Sequence, residues 1–462
     1  MGFRIRQIEA ESKFVSHLSL QAISRIVPPE DIEAVLAEHG AKEQRERKLN
    51  AFATVLLVIA MSIFTHLSIG HVLKKMAQGL RFIYADPEHK VAGKTAISYR
   101  RYQLGARPVV ALFHRVCRPL ATPDTPGAYL FGRRLMAIDG SIEDVPDTPE
   151  NVAAFGRYRS HRGPAAFAQV RAVYLAECGT HAIVDAGFWP VHVSERTGAQ
   201  RMLRSLEPGS LLMVDSGLYE YDLVQATVQR KSDLLARLPG HVAAKPVLPL
   251  ADGSYLARIY PSEYQRRRHG EHMMVRVIEY TFDDPARPGY GERHRLVTTL
   301  LDAQECPALD LICAYHERWE IEITIDEIDT HQRLLDRPLR SQKPVGVIQE
   351  LYGLLIAHYA IRFLMHEAAL QAGVDPDRIS FVHALRVLQD AVPEFEMTVP
   401  DQLAGLYTRL LNDIADELLP ARRNRINPRV VKRKMSNFKL KRPEHYHWPQ
   451  PVRPFRRAVV LI

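Results

Sequence analysis

At 462 residues the chain is long enough for two or three domains with a substantial core. Its 46% hydrophobic and 25% charged residues are ordinary for a globular protein and exclude a disordered adaptor. The 61 Lys and Arg against 53 Asp and Glu give a formal charge of +8, which favours a polyanionic partner without establishing one. Cys117, Cys178, Cys306 and Cys313 form no C-x-x-C pair and no zinc spacing, the pattern of reduced thiols in a cytoplasmic protein.

The first 20 residues carry scattered charge and no apolar run, so no cleavable secretion signal is expected. Residues 28 to 47 read as a helix that follows Pro28-Pro29 and ends in a solvated charge run. Residues 51 to 73 hold no charged side chain, but the strongly apolar part, Ala51 to Phe64, is too short for a membrane span and reads as a buried core helix. Lys94 to Gln103 reads as a short helix presenting Thr95, Ser98, Tyr99, Arg100, Arg101 and Gln103 outward. These are residue types that contact phosphates and base edges. The helix belongs either to a DNA-end reader over residues 1 to about 120 or to a basic surface packed on the core.

From Arg134 the pattern turns to strands: Leu135 to Ile138, Phe167 to Leu175 and His181 to Trp189, then a helix from Glu195 to Leu206 and a buried strand from Leu211 to Val214. Asp139 and Asp215 each follow one of the apolar runs. Taken singly, each is either a turn residue or a functional acid. Residues 240 to 298 are rich in strand and turn segments, including the basic cluster Arg266-Arg267-Arg268-His269, either an exposed loop or a nucleic-acid contact. On a continuous helix Tyr315, Arg318 and Glu322 fall on one face at i, i+3 and i+7, which sets an acid beside phosphate-binding groups. Three separated carboxylates can hold two magnesium ions roughly 4 Å apart for in-line phosphoryl transfer, without any Cys or His cluster. Val345 to Ala368 reads as a core helix. Residues 422 to 442 contain ten Lys or Arg and no acid, and read as an extended DNA-contacting tail in which Arg422, Arg423, Arg425, Lys432, Arg433 and Lys434 are prominent.

The motif Tyr315-x-x-Arg318-x-x-x-Glu322, with Asp139 and Asp215 in their strand contexts and Asp144-Val-Pro-Asp147-Thr-Pro-Glu150-Asn151 after the first, resembles the DDE transposases of the insertion-sequence-four family over roughly residues 20 to 442. The resemblance implies an α/β fold: a ribonuclease-H-like catalytic core over 126–343 interrupted by a β-rich insertion at about 240–298, preceded by a helical, DNA-end-binding domain over 1–125 and followed by a helical region with a basic tail over 344–462. It implies cut-and-paste transposition, with Asp139, Asp215 and Glu322 as catalytic residues and ligands of two Mg²⁺ (Mn²⁺ as a substitute), and Tyr315 and Arg318 holding the phosphate. Its partners would be double-stranded DNA, namely the terminal inverted repeats and target DNA. A homodimer holding both ends, a cytoplasmic, nucleoid-associated location and no membrane complete the expectation. Two alternatives stay open: a catalytically silent, transposase-derived DNA-binding protein, and a metal-dependent nuclease of the same fold.

Three departures from the family pattern stand out. Asp329 occupies the position of the family's lysine, so that Lys343 or an Arg such as Arg333 would have to supply the charge. The run Asp326-Glu-Ile-Asp329 reads most simply as a solvated acidic face. Ser216 stands where many relatives have Arg, and the insertion lacks the Trp used by relatives to stack a flipped base, a task open to Tyr255, Tyr260 or Tyr264.

Overall fold

The structure is a computed structural model that describes residues 20–42, 49–77, 92–160, 163–333, 337–420, 430–431 and 439–462. The chain is mixed α/β and divides into two compact units: unit 1 is Met1–Ala128, Ala137–Ser205 and Glu320–Leu419, and unit 2 is Tyr129–Met136, Leu206–Trp319 and Pro420–Ile462. The units interleave along the chain, so the segment expected as an N-terminal domain shares unit 1 with parts of the other two.

The reason lies in two apolar helices. Ala51–Ile63 has twelve buried residues, which leaves it no solvent face and no stability alone. It packs along Pro344–Ala372, itself buried over most of its length. The two helices approach tightly at Gly353, where a Cβ would lie 2.7 Å from Val58 Cγ1 and 2.8 Å from Val58 O. By length and composition Pro344–Ala372 would suffice to cross a membrane, but 83% of its apolar window is buried in the protein, as in a core helix. The expected helix over 28–47 is shorter among the described residues: Pro29–Glu38 stops before Gly40, whose φ of +62° is left-handed and ends the ladder.

The expected surface helix also differs. Lys94–Leu104 forms, but Arg101 turns inward and is 4% exposed. Its guanidinium donates to Gln349 Oε1 (3.2 Å), Ser341 Oγ (3.0 Å) and Gly346 O (2.9 Å). Thr95, Tyr99 and Gln103 do face outward. Three strands follow in unit 1: the later part of Arg133–Val145, then Ala168–Glu177, which pairs antiparallel with Ile183–Pro190.

In unit 2 the buried strand Ser210–Val214 pairs in parallel with Asp233–Arg237, and the helix Tyr221–Gln229 provides the crossover. His294–Thr298, Met273–Phe282, Tyr255–Ile259 and Pro246–Pro249 extend the sheet antiparallel, so residues 240–298 are β-rich as read. Beyond the basic stretch the chain returns to this sheet. Val459–Leu461 pairs with Met273–Phe282, and Asp284 Oδ2 accepts the backbone N–H groups of Val452 (3.1 Å) and Arg453 (3.3 Å). The basic stretch is therefore followed by docked structure and is not a trailing end.

Candidate active site

Asp139 does not end its strand. Arg133–Val145 continues six residues past it, and Asp139 is the first half-buried position after four buried ones. Its Oδ1 accepts the Gly140 N–H at 2.8 Å. At Gly140 a Cβ would stand 2.6 Å from Glu195 Oε1 and 3.0 Å from Ala172 O, so the Glu195 carboxylate packs closely on this glycine. Glu195, the first residue of the helix Glu195–Met202, thus brings a further carboxylate close to the strand segment that carries Asp139, and Arg171 lies 3.8 Å from it. The sequence analysis assigned Glu195 no role beyond the start of a helix; Ser194, which caps that helix, was the available signal.

Asp215 directly follows the fully buried strand Ser210–Val214 and is half-buried. Its Oδ1 accepts the Leu218 N–H at 2.9 Å, so the acid also closes the turn, and a Cβ at Gly217 would lie only 3.2 Å from that oxygen. Unit 2 brings Tyr315 to this strand end: its hydroxyl donates to Val214 O at 3.3 Å. Arg318 lies 5.8 Å from the Tyr315 ring centre. Burial raises the Tyr315 pKa and the Asp215 charge adds to it, while Arg318 and Arg237 oppose the rise. Asp215, Tyr315 and Arg318 therefore share one electrostatic neighbourhood.

The motif is not carried on an unbroken helix. Ala308–Glu317 ends at Arg318, Trp319–Asp326 resumes the α-helix, and Glu327–Gln332 widens into a π-helix. Arg318, between the first two segments, keeps right-handed helical dihedrals (φ −52°, ψ −23°). Glu322 sits half-buried in the middle segment, in unit 1 with Asp139.

Most of the acidic run is not a solvated face. Asp326 is exposed, but Glu327 is buried, its carboxylate bound by Arg362 and His358. Asp329 accepts from Ser141 Oγ at 3.3 Å and lies 3.5 Å from Arg333. Arg333 in turn pairs with Glu143, so its charge is engaged inside unit 1. Lys343 lies 5.0 Å from the Tyr102 ring centre.

In the β-rich segment Tyr255 donates to Glu279 Oε1 at 2.9 Å, Tyr260 neighbours His272, and Tyr264 is 59% exposed with Arg268 over its ring. Glu263 binds Arg266 at 2.6 Å and Arg267 at 3.2 Å, which offsets part of the basic cluster's charge. Arg422, Arg423, Arg425, Lys432, Arg433 and Lys434 lie outside the described residues. Lys439, Lys441 and Arg442, at the end of that stretch, are exposed.

Comparison with known proteins gives a consistent picture. Residues 17–114 match the family described as insertion element 4 transposase N-terminal, and residues 130–359 match the transposase DDE domain. A relative from Escherichia coli (strain K12), transposase InsG for insertion sequence element IS4, is 27% identical over 423 residues, covering 89% of this chain and 92% of that one. Among solved structures, a piggyBac transposase synaptic complex with hairpin DNA is 12% identical and covers 87% of this chain and 86% of its own, at a TM-score of 0.42.

Proposed function

Because the chain belongs to the insertion-element-4 family of DDE transposases, a family that uses divalent metal, we propose that Asp139, Asp215 and Glu322 are its catalytic carboxylates and the ligands of two Mg²⁺, with Mn²⁺ as a substitute. The observation that carries the reading is the Tyr315 hydroxyl on Val214 O, at the strand end where Asp215 begins. The donor set fits the ion: carboxylate oxygens suit a hard cation that keeps positions open for water and phosphate. When bound, such ions supply Lewis acidity to the attacking and leaving oxygens of an in-line displacement.

The chain's own groups do the rest. Arg318 grips a non-bridging phosphate oxygen pair through charge-assisted hydrogen bonds, and Tyr315 orients the same phosphate once its hydroxyl proton turns from Val214 O to a phosphate oxygen. The basic residues Arg422, Arg423, Arg425, Lys432, Arg433 and Lys434 bind the DNA backbone independently of sequence. In this reading residues 1–125 supply end recognition, 126–343 a ribonuclease-H-like core with an insertion at about 240–298, and 344–462 a helical support with the basic stretch. A homodimer acts on terminal inverted repeats and target DNA in the cytoplasm, at the nucleoid.

The test is Mg²⁺-dependent cleavage of a duplex carrying the element's terminal repeat, by the natural protein and by Glu322→Gln. Cutting at the repeat boundary by the natural protein alone supports the assignment. Specific binding with no cutting by either protein identifies the silent derivative that Asp329 at the lysine position would suggest, and cutting by both removes Glu322 from the site.

A further inference from the structure

Unit 1 contains an open cavity of about 380 Å³ between the turn after the helix Ala51–Ile63 and the residues that lead into Pro344–Ala372. Thr65 and Ser68 line one wall, and Arg333, Arg337 and Arg340 line the other. Arg340 ties the two walls together. It donates to Met61 O (2.8 Å), a carbonyl of the last turn of the first helix, and to Leu67 O (3.3 Å), while Glu350 Oε1 accepts its Nε at 3.0 Å.

Charge sets Arg337 apart from its neighbours. After Glu322, Arg333 pairs with Glu143, Arg340 with Glu350 and Arg362 with Glu327, and Lys343 rests on the Tyr102 ring. Among the described residues no acid, hydrogen bond or ring engages Arg337, which is exposed at this cavity. Ser68 caps the helix Ile69–Met76 by accepting the His71 N–H at 3.4 Å, so two hydroxyl groups and the positive end of a helix border the same space. An unmatched guanidinium beside hydroxyls is a donor set for a phosphate. The wall also connects to the strand that carries Asp139. Arg333 lies 3.5 Å from Asp329, whose Oδ2 accepts from Ser141 Oγ at 3.3 Å, two residues beyond Asp139. A DNA strand that reaches Asp139 therefore runs within a few nucleotides of this cavity.

We propose that the cavity is a second phosphate site, made without Tyr315 or Arg318, in which Arg337 holds a backbone phosphate of the DNA bound at Asp139. The assignment rests on the reading that DNA is bound there. The contact carries no base information, so it adds affinity to any duplex and leaves the choice of sequence to other residues.

The test measures binding of the full chain to two labelled duplexes, one with the element's terminal repeat and one unrelated, by fluorescence anisotropy over a series of salt concentrations. Arg337→Ala should weaken both alike, by about five- to tenfold near ~0.1 M salt, and flatten the slope of log K against log salt by about one. Arg337→Lys should restore the slope. Ser68→Asp keeps an acceptor at the helix cap but sets an anion in the cavity, and should weaken binding with the thermal midpoint unchanged. A slope that Arg337→Ala leaves unchanged overturns the site. So does natural affinity in Ser68→Asp, since Arg337 would then meet DNA outside the cavity. If inorganic phosphate raises the midpoint of the natural protein but not of Arg337→Ala, while the slope is unchanged, the cavity takes a free phosphate and not DNA. Binding of neither duplex by the natural protein defeats the reading of DNA at Asp139, and this site with it.

Discussion

Asp329 Oδ2 lies 3.3 Å from the Ser141 hydroxyl, two residues beyond Asp139 on the same strand, so Asp329 is part of an internal carboxylate network. Glu143 completes it by accepting from Tyr174 Oη at 3.3 Å and pairing with Arg333. Burial, with Asp326 adding to it against the Ser141 hydrogen bond, raises the Asp329 pKa from 3.8 to about 6. A carboxyl whose pKa is higher folded than unfolded stabilises the fold when protonated. That contribution is whole below about pH 4 and gone above about pH 6. Asp329→Asn should therefore raise the thermal midpoint at pH 7.5, by an amount equivalent to at most about 3 kcal/mol, and leave it nearly unchanged at pH 4. Equal shifts at both pH values would mean that the charge is not what costs stability there.

Gly353 makes the contact between Ala51–Ile63 and Pro344–Ala372 possible. A Cβ there meets Val58 O at 2.8 Å, and backbone cannot swing aside as a side-chain tip can. Gly353→Ala should destabilise unit 1 by about 1–3 kcal/mol despite alanine's better helix propensity. Thermal unfolding followed by circular dichroism reads this directly, and a midpoint equal to or above that of the natural protein would show that the helices part without cost.

Arg276 is fully buried on the strand Met273–Phe282, paired with Asp252 and donating to Ser254 Oγ (2.8 Å) and Cys306 O (2.6 Å). Asp252 Oδ2 also accepts the Ala308 N–H at 3.0 Å, at the start of the helix that carries Tyr315. Asp252→Ala removes the counter-charge and the cap together, and should cost about 3–5 kcal/mol. Burial opposes ionisation of Asp252, but the Ser254 hydroxyl, Arg276 and two backbone N–H groups hold its pKa below the usual 3.8. Its stabilisation is thus complete above about pH 4 and lost as pH falls further, so natural protein and variant should converge in acid unfolding below pH 3.

How far the sequence disclosed this arrangement depended on the range of the deciding interactions. The apolar run Ala51 to Phe64 has no polar face, so burial was its sole outcome, and Ser210–Val214 ahead of Asp215 was readable for the same reason. Arg101 was misread because its partners, Gln349, Ser341 and Gly346, lie some 240 residues away and leave no mark in the local pattern. The break at Arg318 and the π-helix after Asp326 escaped because a 3.6-residue period assumes an uninterrupted ladder. Glu327 looked solvated beside Asp326 until the long core helix supplied His358 and Arg362. The C-terminal strand escaped because its pairing partner is nearly 180 residues earlier.

The short helix Phe455–Ala458 leads directly into that strand. Phe455 stacks on His316, ring centres 3.9 Å apart and planes 8° from parallel, and packs on Phe282, while Arg456 Nη1 lies 2.5 Å from Asp310 Oδ1. Both residues touch the helix Ala308–Glu317, which carries Tyr315, but they differ in kind. The Arg456 pair is more than half exposed on the arginine side, where solvent screens it, and it adds little to stability. Phe455 supplies aromatic contact on two sides, for which truncation costs about 1–3 kcal/mol at a half-buried site. Phe455→Ala should therefore lower both the thermal midpoint and the cleavage rate on terminal-repeat DNA, whereas Arg456→Ala should leave both nearly unchanged. If Phe455→Ala lowers the midpoint but not the rate, the Phe455 contacts support the fold without setting the Tyr315 helix. If Arg456→Ala matches it in rate, charge rather than stacking holds that helix in place.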